Sequence, residues 1–176
     1  MYLSTILKRS MTSSACIRMV SEEEVHEAWL VAELSFPSDE SPPEERYRNR
    51  QNEAPELFWG YFDDSRLIGV ICATKTSADH LTYDSMFSHD SKGRVVCVHT
   101  LCIHPDYRKK GIATALMEHY IRYIKENLAE VTKVCLICHD VLVPFYERLG
   151  FQYQGPSGVI YGSTPWYDME YSLSKS

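Results

Sequence analysis

Hydrophobic and polar positions along this chain switch between a period of two and a period near 3.6, and the switches mark out its elements. Cys16 to Val20 reads as a short strand. Ser21 followed by Glu24 has the form of a capping box and opens a helix through Leu34. Phe36 to Pro43 carries three prolines and acidic residues and reads as a loop; Glu44 to Asn52 reads as a second, polar helix. Leu57 to Phe62 and Leu67 to Thr74 are strands, joined by the turn-forming Asp63-Asp64-Ser65-Arg66. Thr76 to Lys92 is polar and irregular, and Arg94 to Ile103 is apolar and β-branched, as a central buried strand is. After Gly111, the residues Ile112, Leu116, Tyr120, Ile124 and Leu128 recur at helical spacing. Val131 to Cys138 is another buried strand. A short helix over Val141 to Leu149 has Pro144 near its start and Gly150 as a left-handed cap. Phe151 to Gln154 and Trp166 to Leu173 close the sheet as an antiparallel pair. The sum is an α/β fold with a mixed sheet of about six or seven strands.

At 176 residues the chain is long enough for one well-buried domain, taken here from residue 15 to 176, behind a flexible leader over residues 1–14. Met11 offers that leader an alternative start; being Ser/Thr-rich, mildly basic and free of acids, the stretch has a weak mitochondrial presequence as its other reading. The formal charge of −6 argues against a general nucleic-acid or anionic-membrane binder and suits a cationic substrate such as an amine. No apolar run has the length of a membrane span. Most of the six cysteines sit inside apolar, strand-like segments, as free thiols do in a reducing compartment, so a cytoplasmic monomer is expected. Cys135-Leu-Ile-Cys-His139 matches a haem-attachment spacing. In a strand, however, residues three apart face opposite sides, and no metal site is expected there.

The stretch with most chemical content is Cys97-Val-His-Thr-Leu-Cys-Ile-His-Pro-Asp-Tyr-Arg-Lys-Lys-Gly-Ile-Ala113. A buried strand runs into a basic, glycine-containing turn and then into a long amphipathic helix. This directs backbone N–H groups and a helix N-terminus at an anion, with Arg108, Lys109 and Lys110 adding positive charge. A polyphosphate ligand fits.

That stretch, together with Ala54-Pro-Glu-Leu57 and Leu142-Val-Pro-Phe-Tyr-Glu-Arg-Leu-Gly-Phe151, resembles the GCN5-related N-acetyltransferases (GNAT). Within them it is similar to the arylalkylamine (serotonin) N-acetyltransferases and their fungal relatives, over nearly everything from Cys16 to Leu173. The resemblance implies a splayed, mostly antiparallel sheet flanked by about four helices, with acetyl-CoA lying across its end. It implies that backbone amides from Lys109 to Thr114, including Lys110, Gly111, Ile112 and Ala113, hold the pyrophosphate. Arg108 would add charge, although a solvated surface arginine is the alternative. Leu101, Cys102 and Ile103 would hold the pantetheine arm through their main chain, as an added strand does.

Acetyl transfer to a small primary amine in a ternary complex needs a base, a polarised carbonyl and a proton for the leaving thiolate. His99 is the candidate base; a core histidine on a backbone carbonyl is the alternative. The family uses a histidine pair flanking a single residue, and here Cys97 stands at the first position. A thiol there could order a relay water, and a shifted or shallower pH–rate profile is expected. Tyr146 matches the tyrosine that gives a proton to the CoA sulfur. By the same resemblance the amine pocket draws on Phe36, Pro37 and the loop to Pro43, on Ile137, and on the segment from Tyr161 to Trp166. Aromatic surfaces suit an arylalkylamine. Asp39, Glu40, Glu44 and Glu45 would instead attract a polyamine, or form a solvated acidic face. A module that binds acyl-CoA without turnover is the reading from another class.

Overall fold

The computed structural model describes residues 14–173, so most of the expected leader lies outside the described residues. Seven strands form one sheet in the order β1-β2-β3-β4-β5-β7-β6. They are β1 (Ala15–Met19), β2 (Phe58–Asp63), β3 (Arg66–Thr76), β4 (Val95–Ile103), β5 (Lys133–Cys138), β6 (Gln152–Pro156) and β7 (Tyr167–Ser172). Four α-helices accompany them: α1 (Val25–Glu33), α2 (Glu44–Glu53), α3 (Ile112–Asn127) and α4 (Val143–Arg148).

Local chemistry accounts for the boundaries. The Ser21 amide donates to the Glu24 carboxylate at 2.9 Å, and a single 3-10 turn leads into α1, so the helix expected from Ser21 starts in earnest at Val25. Asp64 and Ser65 both take positive φ (46° and 71°), the two-residue turn that matches strand twist in a hairpin. The second polar stretch does fold as α2, but it buries Tyr47 and Arg50, one turn apart, beneath a helix whose remaining faces are charged. α4 ends at Gly150, where φ is +93°.

Two cores sandwich the sheet. One face packs α3 through Leu116, Tyr120 and Ile124 onto Val96, Val98 and Val134, with Tyr146 and Phe151 from the α4 region completing it. The other packs α1 and α2 through Ala28, Val31 and Tyr47 onto Phe58, Val70 and Cys102. A third cluster joins Leu81 and Met86 of the irregular 77–94 segment to Val95, Cys97 and Cys135. Cys135 and Cys138 thus belong to different clusters on opposite faces of β5, as strand geometry requires.

Two irregularities prepare the site. All neighbouring strands are antiparallel except β4 and β5, whose parallel pairing runs from Val95↔Lys133 only as far as Val98↔Leu136. Beyond it the strands part, and His99 to Ile103 have β3 on one side and no strand on the other. Moreover, Ala73 pairs with Val98 while Cys72 pairs with Thr100, so His99 is the extra residue of a β-bulge. Before the bulge, Val96 and Val98 face α3; after it, Leu101 and Ile103 do.

Candidate active site

The parting of β4 and β5 opens a cavity of about 710 Å³, walled by both strands, the turn into α3, α4, and the loops before α2 and before β7. Five residues earlier singled out on β4 or at its exit line it: His99, Leu101, Cys102, Ile103 and Arg108. Lys109, Gly111, Ile112, Ala113 and Thr114 line it too, as do Phe36, Pro37, Ile137 and Tyr146.

At one end lies an anion cradle. Lys109 and Gly111 take positive φ (59° and 76°), curling the chain into the N-terminus of α3. The first amide to bond back along the helix is that of Ala115, to Gly111 at 3.0 Å, so the amides of Ile112, Ala113 and Thr114 are without helical partners. A Cβ at Gly111 would meet nothing within 4 Å, which leaves space above the backbone for a ligand to reach these amides. These features fit the diphosphate of coenzyme A. Arg108 turns inward, donating from Nε to the Ile103 carbonyl at 3.1 Å. Lys110 does not line the cavity; its ammonium sits 5.2 Å from the Tyr107 ring centroid.

In mid-cavity the main chain does the work. The carbonyl of Ile103 accepts from Arg108 and, at 3.3 Å, from Ser35 Oγ, so it points away from β3. By strand alternation Leu101 also presents its main-chain groups to the open edge, whereas Cys102, in register with Val70, turns its own to β3. Of the three residues expected to hold an extended arm, Leu101 and Ile103 are on the usable edge.

His99 occupies the far side. Its Nε2 is 2.8 Å from Thr74 Oγ1, and that hydroxyl donates to the Ser85 carbonyl at 3.0 Å. Since a carbonyl only accepts, the Thr74 proton is spoken for, and Nε2 must carry the hydrogen that bridges to Thr74. Nδ1, shielded from solvent and without a hydrogen-bond partner among the described residues, therefore carries the lone pair. Burial, and after it the charges of Arg50 and Arg46, hold the imidazole well below its ordinary pKa, so it stands neutral at pH 7. Tyr146 faces the cavity from α4 with its ring edge-on to Phe145 and Phe151, at 5.0 and 5.6 Å, and burial raises its phenol above the ordinary value.

Cys97 is not brought to the site. It is fully buried among Leu81, Met86 and Cys135, does not line the cavity, and burial pushes its thiol up to about 12. A parallel-strand neighbour of Cys135, it sits one bulge short of the gap.

The acidic residues are likewise spent on structure. Glu40 is 4% exposed and its Oε2 lies 2.9 Å from His139 Nε2, while His139 Nδ1 donates to the Pro165 carbonyl at 3.0 Å. Glu40 and the Pro165 carbonyl face its two nitrogens and raise its pKa over the opposing cost of burial, and the ring stacks on Trp166 at 4.1 Å. Asp39 accepts from the Ser163 amide at 3.0 Å, and Glu44 binds His26 and Arg48. Residue-by-residue reading missed Thr74, Arg50 and the Glu40–His139–Trp166 group. Each depends on partners distant in sequence, although two arginines beside a tyrosine in a polar helix hinted at α2.

The sequence profile of the acetyltransferase (GNAT) family matches residues 23–151. The chain is 35% identical to serotonin N-acetyltransferase of Mesocricetus auratus over 119 residues, which is 68% of this chain and 57% of that one. With the Homo sapiens enzyme of the same name it shares 32% over 119 residues, 68% and 57% of the two chains. The match thus spans little more than half the length of these relatives. Among solved structures it is similar to the loading GNATL domain of CurA from Lyngbya majuscula (TM-score 0.81, 14% identity, covering 91% and 98% of the two chains). It is also similar to the PaiA N-acetyltransferase of Thermoplasma acidophilum, solved in complex with coenzyme A (TM-score 0.68, 21% identity, 90% and 99%).

Proposed function

The chain belongs to the acetyltransferase (GNAT) family, and from that premise we propose that it is an acetyl-CoA-dependent N-acetyltransferase acting on a small arylalkylamine. The observation that carries this reading is the coincidence, in one cavity, of the amide cradle at α3, the free edge of β4, and the neutral imidazole of His99.

Acetyl-CoA supplies the acyl group as a thioester. Lys109 to Thr114 would hold its diphosphate, and Leu101 and Ile103 its extended arm. The neutral imidazole of His99 would take a proton from the acceptor amine, the amine nitrogen bonds to the acyl carbon, and the bond to sulfur breaks. The Tyr146 hydroxyl returns a proton to that sulfur. A main-chain N–H on the open edge of β4 is placed to polarise the acyl oxygen. Both substrates are bound together, since no thiol here can act as a shuttle: Cys97 is buried outside the cavity, and burial pushes Cys102 and Cys138, which line it, up to about 12.

The acceptor half favours an aromatic amine over a polyamine. Phe36, Pro37, Tyr161 and Trp166 give it apolar and aromatic walls, and Glu40, its one carboxylate, is paired with His139. The test is initial rates of thiol release from acetyl-CoA with tryptamine, serotonin, phenethylamine, spermidine and a peptide N-terminus. Saturable turnover with aromatic monoamines is expected. A preference for spermidine would reassign the acceptor pocket, and silence across the panel with acetyl-CoA still bound would make the chain a binding module.

A further inference from the structure

Arg50 is a buried cation without a counter-charge. It is 3% exposed, lines the cavity from α2, and no aspartate or glutamate among the described residues pairs with it. Its Nη2 donates to the Met86 carbonyl at 3.3 Å, its Nη1 reaches the Cys72 sulfur at 3.7 Å, and its Nε has no partner. The Tyr47 ring, 5.8 Å away, offsets little of the charge. A buried guanidinium left unpaired is strongly unfavourable. Pinning the 81–89 segment does not explain it, because Arg46 already donates to the same Met86 carbonyl at 3.3 Å. Arg46 also adds charge of the same sign.

The position is specific. Thr74, which holds His99, is anchored on the carbonyl of Ser85, and Arg50 on that of Met86, the next residue. Base and cation therefore stand side by side on consecutive carbonyls at one wall of the cavity. An acceptor whose nitrogen is at His99 would bring its first carbons to the wall that Arg50 shares, in a cavity that Phe36 and Trp166 also line. Planar, with a second hydrogen on each of Nη1 and Nη2 beyond those given to Cys72 and Met86, the guanidinium matches a carboxylate on that first carbon. Resting on the reading above of an N-acetyltransferase with an aromatic amine acceptor, we propose that Arg50 receives a carboxylate on the acceptor's first carbon, so that aromatic α-amino acids are preferred over their decarboxylated amines. The same cation repels a second ammonium and so excludes polyamines.

The wild-type protein decides first, by thiol release with L-tryptophan against tryptamine and L-phenylalanine against phenethylamine. The expected result is a kcat/KM for the amino acids about 10-fold or more above that for the amines, with 3-indolepropionate competing against the acceptor. Arg50→Met lowers the amino-acid value about 100-fold and reverses the preference, and Arg50→Lys recovers part of it. Saturable turnover of tryptamine with L-tryptophan the poorer substrate overturns the proposal and leaves the arylalkylamine reading standing. So does an Arg50→Met protein, folded by circular dichroism, that loses both substrates equally. Turnover of neither pair removes the arylalkylamine reading and this proposal with it.

Discussion

Nε2 of His99 and Oγ1 of Thr74 lie 2.8 Å apart, and the second bond of that hydroxyl, to the Ser85 carbonyl, fixes which ring nitrogen bears the proton. Replacing Thr74 by Val removes the acceptor for Nε2–H and lets the ring exchange tautomers. We expect kcat to fall about 10- to 100-fold, with KM for acetyl-CoA little changed, and Thr74→Ser to retain most activity. Steady-state kinetics on both variants checks this; equal loss in Val and Ser variants would mean that the hydroxyl has no such role.

Tyr146 offers a second kinetic test. Tyr146→Phe keeps the ring against Phe145 and Phe151 and deletes only the hydroxyl. Turnover is expected to fall about 100-fold while acetyl-CoA affinity, measured calorimetrically, holds. Undiminished turnover would return the tyrosine to a packing role.

Cys97 separates burial from chemistry. Cys97→Ala removes a side chain that is 0% exposed, and we expect a stability loss of about 1–2 kcal/mol in urea titrations. The pH–rate profile should be unaltered, because the thiol lies outside the cavity. A changed profile would put Cys97 back in the proton path.

His139 should make stability depend on pH. Hydrogen bonds to Glu40 and Pro165 raise its pKa over the opposing cost of burial, so the folded protein holds this proton more tightly than the unfolded chain. The contribution is complete below the ordinary histidine value of 6.5 and is lost as pH rises through the higher folded value. In His139→Gln the difference in Tm from wild type should be larger at pH 6 than at pH 9. A difference independent of pH would show that the ring acts only by packing on Trp166.

His99 adds a slope of the opposite sign, from the opposite shift. Its pKa is depressed, so its stability contribution is intact above 6.5 and lost as pH falls through the folded value. For catalysis, a base that stays neutral well below 6.5 should move the acid limb of kcat/KM to lower pH than an ordinary histidine would set.

The elements were legible in the sequence because each carries its own periodicity. Ile112, Leu116, Tyr120 and Ile124 mark the buried side of α3 without help from the rest of the fold, and Gly111 in the turn before it marks the left-handed residue at which the helix begins. What escaped were properties of pairs. The bulge at His99 depends on how β4 meets β3, and reading β4 alone gives every residue a regular alternation. Glu40 looks solvated until a loop 99 positions away brings His139 beneath it. Arg50 sits in a helix so polar that burial is invisible until Met86 and Cys72 close over it. Cys97 drew notice through its place beside His99, where alternation had already turned it to another core.

The parallel contact of β4 and β5, ending at Val98 and Leu136, makes the sheet two slabs joined by a short seam. One slab is β1 to β4 with α1 and α2; the other is β5, β7 and β6. Above the seam nothing in the backbone ladder ties them, so a bound extended arm would act as mortar, completing the ladder along Leu101 and Ile103. Each substrate cycle then lays and removes one course of the wall. Occupancy should be readable as mechanical stiffening: slower amide exchange at the upper ends of β4 and β5, and a higher force to pull the slabs apart, in the loaded protein than in the free one.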